Sequence, residues 1–167
     1  MTDGPGDRTR ARSVAIVVAS TRAATGVYAD RTGPIIAEWF TGRGWIVDRT
    51  EVVSDGYPVR AALEAAIGTV DVVITTGGTG ISPTDRTPEV TLPLLDRELP
   101  GVMEELRRRG AASTPLAVLS RGHAGVAGRT FIVNLPGSTG GVRDGLTVLG
   151  DVLDHIVDQL QGVDHDR

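Results

Sequence analysis

The chain has 167 residues, 22 of them glycine, with no cysteine, and all 17 of its Lys+Arg positions are arginine. Without Cys there is no disulfide scaffold, thiolate nucleophile, thiolate metal site or iron–sulfur cluster; without Lys there is no Schiff base, Walker lysine or lysyl–nucleotide intermediate. A net charge of −4 argues against a binder of nucleic-acid backbone, and the apolar runs are too short for a bilayer span.

Residues 1–12 are polar, rich in Gly, Pro and Arg, and lack the apolar stretch of a signal peptide; they read as a mobile tail on a cytoplasmic protein. Residues 163–167 read as a second tail, leaving one domain over 13–162. The first β-rich run, Ser13–Ala19, is continuously apolar and β-branched, as in a strand covered on both faces. Gly33-Pro34 then opens a helix with Ile35, Ile36, Trp39 and Phe40 on one side, stopped by Gly42 and Gly44. Trp45–Val53 alternates more and suits a strand nearer a sheet edge. Pro58 opens a second helix, and Val70–Thr76 repeats the buried-strand pattern. Thr87-Pro88-Glu89 has the form of a helix start, with Thr87 as N-cap. Pro93 and Pro100 break the next stretch into short pieces ending in a helix around Met103–Arg109. Arg107, Arg108 and Arg109 form the one dense basic run and read as a solvated helix end. Leu116–Leu119 is a candidate fifth strand, and Thr130–Leu135 is the fourth clear one. Val142, Leu146, Leu149, Leu153, Ile156, Val157 and Leu160 make the core stripe of a last helix. Strands alternating with helices predict an α/β fold, a mostly parallel sheet with helices on both faces.

In such a sheet, ligands bind outside the carboxyl ends of the strands. The first strand exits into Ser20-Thr21-Arg22, the second into Ser54-Asp55-Gly56, the third into Gly77-Gly78-Thr79-Gly80 and on to Asp85, and the fourth into Pro136-Gly137-Ser138-Thr139-Gly140-Gly141. Glycines let backbone N–H groups approach an anion, and helix N-termini add positive partial charge. Two aspartates on that edge would repel a phosphate unless a cation intervenes, and Mg²⁺ held by carboxylates and substrate phosphates is the natural mediator. Taken singly, each element also has a plainer reading: a tight strand–helix turn for Gly77–Gly80, an Asx turn for Asp55, a turn-ordering role for Asp85, a helix entry for residues 134–141. Their coincidence on one edge favours phosphoryl or nucleotide chemistry. His123, His155 and His165 have no metal-ligand spacing.

Thr75–Thr91, TTGGTGISPTDRTPEVT, resembles the signature of the molybdopterin adenylyltransferase family, the Mog and MoaB type that also supplies the amino-terminal domain of gephyrin. Ser20-Thr21-Arg22, Ser54-Asp55, Arg97–Gly101, Leu119-Ser120-Arg121 and Asn134–Ser138 match in the same order, so the likeness spans about residues 13–160. The resemblance implies a three-layer α/β/α homotrimer that adenylylates molybdopterin with Mg-ATP, releases pyrophosphate, and passes the product to a molybdenum-insertion enzyme. It assigns Asp55 and Asp85 to catalysis and Mg²⁺. It assigns Gly77, Gly78, Thr79 and Gly80 to cradling phosphate or pterin, with Ser20, Arg22, Ser138 and Thr139 as further contacts. The sequence carries Thr21 where many members are acidic, and Thr139-Gly140 where many have Pro. The second reading is a non-catalytic molybdopterin-binding module or assembly partner on the same fold, and the presence of both aspartates favours the enzyme.

Overall fold

A computed structural model describes residues 10–163. The first nine residues and the last four, with His165 and most of both expected tails, lie outside the described residues. Within the expected amino-terminal tail, Arg10 is described and pairs with Asp71.

Six strands form one sheet in the order β2-β1-β3-β6-β5-β4: β1 Ser13–Ala19, β2 Ile46–Val53, β3 Val72–Thr76, β4 Arg97–Glu98, β5 Ala124–Ala127 and β6 Thr130–Leu135. The first four in that order run parallel, while β5 is antiparallel to β6 and β4 to β5. The more alternating run is indeed an edge strand, β2. The helices are α1 Thr21–Ala24, α2 Thr32–Gly42, α3 Tyr57–Ala66, α4 Thr87–Thr91, α5 Pro100–Ala111 and α6 Thr139–Leu160.

The period-two alternation of the central strands splits the core in two. Val14, Ile16 and Val18 of β1 and Phe131, Val133 and Leu135 of β6 face α2, α5 and α6, where Phe40, Leu106 and Leu149 meet them. Ala15, Val17 and Ala19 face α3, which packs Val59, Leu63 and Ala66 against them. The sequence thus builds three layers, helix on sheet on helix.

Three local expectations change. Leu116–Leu119 is a 3-10 turn, Pro115–Leu119, and not a strand. Pro115 fixes the backbone angle at its start, the Thr114 hydroxyl accepts from the Leu116 N–H, and the sheet position beside β6 belongs to Ala124–Ala127. Thr87 is not an N-cap but the first helical residue of α4, because its hydroxyl donates to Asp55 Oδ1 at 2.9 Å instead of turning back on its own helix. The helix expected from Gly33 begins at Thr32, where Asp30 Oδ1 accepts the N–H groups of both Thr32 and Gly33. The 22-residue α6 buries Val142, Leu146, Leu149, Leu153 and Val157, with Ile156 and Leu160 packed at its margin. Among the described residues no helix is long and apolar enough to cross a membrane.

Candidate functional site

The carboxyl ends of β1, β3 and β6 open side by side, and their loops enclose two clefts. Gly77, at the exit of β3, has φ +90°, and a Cβ there would lie 2.4 Å from the Ala19 carbonyl oxygen. Only glycine lets the chain turn this close to the neighbouring strand. The backbone of Gly137, at the exit of β6, packs on Gly77. This backbone ridge separates the clefts, and Gly137 borders both.

The smaller cleft, about 430 Å³, holds Ser20, Arg22, Asp30, Gly77 and Thr139 in its walls. Ser20 caps α1, its Oγ accepting from the Ala23 N–H at 3.2 Å, and the Arg22 guanidinium lies over the Tyr28 ring. The larger cleft, about 750 Å³, takes Gly78, Thr79, Gly80, Asp85 and Ser138 on one side, and on the other an apolar wall that includes Leu106, Leu116 and Leu119. Arg107, Arg143 and Asp144 add charge of both signs. Arg107 is therefore not merely a solvated helix end: it is half-buried and donates to the Ser120 carbonyl at 3.1 Å.

Both clefts receive the start of α6. Ser138 is its N-cap, with Oγ accepting from the Gly141 N–H at 3.1 Å. Thr139 lines the smaller cleft and Gly140 and Gly141 the larger, so the positive end of a long helix addresses both.

The two aspartates occupy different environments. Asp85 lines the larger cleft; its Oδ2 accepts from the Ser82 N–H at 3.1 Å, and among the described residues its Oδ1 accepts no hydrogen bond. Asp55 borders neither cleft. Its Oδ1 accepts from the Gly56 N–H at 2.7 Å and from the Thr87 hydroxyl, and its Oδ2 accepts from the Arg86 N–H at 3.0 Å. Asp55 is thus the tie between the end of β2 and the start of α4, holding the two residues that follow Asp85. Gly78, with φ +67°, leaves the room this tie needs: a Cβ there would sit 2.3 Å from both Asp55 Oδ2 and Thr87 Oγ1.

Two further residues brace the glycine loop. Asn134, fully buried, donates to Thr75 Oγ1 at 2.9 Å and to Thr91 Oγ1 at 3.1 Å, and accepts from the His123 N–H, joining β3, α4 and the lead-in to β5. Arg121 donates from its backbone to the Thr79 carbonyl and from its guanidinium to the Gly80 carbonyl at 2.8 Å, the Asp85 carbonyl at 3.2 Å and the Glu89 carboxylate. The hydrogen bond from Arg121 holds the Glu89 carboxyl below its usual range. Both residues fall in segments that match the signature, but apart from His123 their partners lie 32–59 positions away in sequence, so no local pattern reports their roles.

Fold and site together define an α/β domain with paired clefts at the carboxyl edge of its sheet, each lined by glycine loops and the start of α6. A family profile described as "Probable molybdopterin binding domain" matches residues 15–155, and the chain belongs to that family. A solved structure of the molybdopterin biosynthesis Mog protein from Mycobacterium ulcerans superposes with a TM-score of 0.87 at 58% identity, over 90% of this chain and 99% of that one. The molybdopterin biosynthesis enzyme MoaB from Thermus thermophilus gives 0.83 at 42% identity, over 90% and 97%. The molybdopterin adenylyltransferase of Escherichia coli is 32% identical over 86% of this chain and 76% of its own length. A molybdenum cofactor biosynthesis bifunctional protein from Chlorobaculum tepidum is 39% identical over 90% of this chain, which spans about half (49%) of that relative's length. The chain is accordingly a molybdenum cofactor biosynthesis domain of the Mog and MoaB type.

Proposed function

We propose that the protein adenylylates molybdopterin, the terminal phosphate of molybdopterin attacking the α-phosphorus of ATP. One observation carries this reading: two clefts meet at the Gly77–Gly137 ridge, each reached by the N-terminus of α6, with the Asp85 carboxylate lining the larger of them. Two phosphorylated substrates, one in each cleft, would bring their phosphates together there. The relatives named molybdopterin adenylyltransferase support the choice of substrates.

The new bond joins the molybdopterin phosphate oxygen to the α-phosphorus, and the bond from that phosphorus to the bridging oxygen breaks, releasing pyrophosphate. No lysine is present to carry AMP in between, which agrees with direct transfer. The protein's part is to position reactants and neutralise charge. Backbone amides of Gly78–Gly80 and of the α6 start hold phosphate oxygens, with Gly77, whose own N–H donates to the Leu135 carbonyl, and Ser20, Arg22, Ser138 and Thr139 at the cleft walls. Asp85 fits Mg²⁺: it is a hard oxygen donor with one uncommitted oxygen on the larger cleft. Bound there, the cation would offset phosphate charge. Asp55, its oxygens engaged by three hydrogen bonds, supplies negative charge behind Asp85 and fixes the segment that carries it. The homotrimer belongs to the same reading, checked by sedimentation equilibrium, as do a cytoplasmic setting and hand-over to a molybdenum-insertion enzyme.

Incubation with molybdopterin, ATP and Mg²⁺, followed by mass spectrometry and a pyrophosphate assay, tests the function. Adenylyl-molybdopterin and pyrophosphate in equal amounts are expected. Pterin bound without turnover would instead favour a non-catalytic module.

A further inference from the structure

We infer that Arg121 and Asp55 together form a clamp that sets the position of Asp85, making Arg121 a positioning residue for the transfer proposed above. The clamp acts on one peptide group, that between Asp85 and Arg86. In a trans peptide the C=O and N–H point in opposite directions. Here the Asp85 carbonyl accepts from Arg121 Nη2 at 3.2 Å, and the Arg86 N–H donates to Asp55 Oδ2 at 3.0 Å. A cation grips the oxygen and an anion grips the N–H, each a charge-assisted bond. Rotation of this peptide would swing Asp85, the residue it begins from, and would break both bonds.

The same guanidinium reaches the other end of the loop, Nε donating to the Gly80 carbonyl at 2.8 Å. Residues 80 to 85 therefore hang from one planar group. Between those points the loop closes on itself, the Asp85 N–H donating to the Ser82 carbonyl at 2.9 Å and the Ser82 N–H to Asp85 Oδ2 at 3.1 Å. Arg121 is in turn held by its own N–H on the Thr79 carbonyl and by Nη1 on Glu89. All three guanidinium nitrogens have protein acceptors, which sets Arg121 apart from a free cation waiting for phosphate. A lysine cannot reproduce the fork, because its compact ammonium does not span two carbonyls in fixed geometry.

The proposal rests on the adenylyltransferase reading for its kinetic arm but not for its structural one. Arg121→Gln, Arg121→Lys, Asp55→Asn and the double variant Asp55→Asn/Arg121→Gln are made in the full chain. Amide exchange of the ligand-free proteins is followed at residues 80–86. Faster exchange at Arg86 is expected in each, with the rest of the sheet protected as in the wild type. In turnover, kcat should fall on the order of 100-fold in Arg121→Gln, because displacing a reacting group by about 1 Å costs that much. The KM for molybdopterin should stay within about threefold, and half-maximal rate should need more Mg²⁺. Arg121→Lys should recover only part of the loss. The double variant should be little worse than the poorer single one, as expected of two groups acting through one peptide. Unchanged exchange in Arg121→Gln and Arg121→Lys overturns the clamp, whatever the rate does. Faster exchange with wild-type kcat overturns its link to catalysis. A wild-type protein that makes no product refutes the function, and the exchange experiment still decides the clamp.

Discussion

At residue 78 the backbone has room for a hydrogen and nothing larger. Gly78→Ala combines a φ of +67° with a methyl 2.3 Å from Asp55 Oδ2 and Thr87 Oγ1, so either the loop or the Asp55–Thr87 bond must yield. We expect about 1–3 kcal/mol of lost stability, read from the urea midpoint. A loss under about 0.5 kcal/mol would mean that the loop relaxes freely. Asp85→Asn is the opposite kind of change. The amide oxygen can still accept from Ser82, so the melting temperature should hold, but the anion at the cleft is gone and turnover should drop by on the order of 1000-fold. A near-normal rate refutes the role given to Asp85. Glu89 carries a weaker signal. Its carboxyl titrates below the usual value of about 4.3 because Arg121 donates to it. A lowered folded pKa gives stability that is complete above the unfolded value and is lost as pH falls through the folded one. Both side chains are more than a third exposed, so the effect stays under about 1 kcal/mol. Stability measured from pH 6 down to 3 should fall less steeply in Glu89→Gln, and an unaltered slope would show that the pair contributes nothing.

At the scale of elements, α4 is the short piece that the site depends on. Five residues cannot hold a helix by propensity alone. It is held from outside: Thr87 and Arg86 by Asp55, Thr91 by Asn134, and Glu89 by Arg121. Asn134→Ala removes the buried amide and leaves Thr75 and Thr91 without its donors, which should cost about 2–4 kcal/mol in denaturant unfolding and raise exchange in α4 before the rest of the chain. Loss of stability with α4 as protected as before would place the cost elsewhere. The same contrast explains what sequence reveals. The strands β1, β3 and β6 were legible because unbroken β-branched apolar runs suit a position covered on both faces, and α6 because its stripe persists for 22 residues. The glycine loops were legible because turns demand particular residues. The strands β4 and β5 were not: Arg97–Glu98 and Ala124–Ala127 have weak intrinsic preference and exist through pairing, β5 with β6 and β4 with β5. Thr87 looks like a cap because caps are local, whereas its true acceptor, Asp55, is 32 residues earlier. Arg121 was hidden for the same reason.

For the whole molecule, the sheet divides labour between its two edges. The two clefts and the chemistry proposed for them gather at the carboxyl ends, while the chain's two described ends are fastened at the opposite edge. There Asp71, buried just before β3, accepts from Arg10 Nη2 at 2.8 Å, the Ser13 N–H at 2.9 Å and Gln161 Nε2 at 2.9 Å. Arg12 reaches Asp154 and Asp158 on α6 and lies over the Trp45 ring. One carboxylate thus joins the first strand, the third strand and the end of the last helix. Removing it in Asp71→Ala strands a half-buried backbone N–H and an amide, which should cost about 1–3 kcal/mol. The span of β3, five residues at about 3.3 Å each, separates that loss from Gly77. Molecules that remain folded should therefore turn over at the wild-type rate, with residues 80–86 protected as before. The decisive comparison is kcat measured well below the melting transition against the denaturation midpoint. A midpoint shifted with kcat intact shows two separable edges, whereas a fall in kcat at full occupancy of the folded state would mean that the sheet transmits strain from one edge to the other.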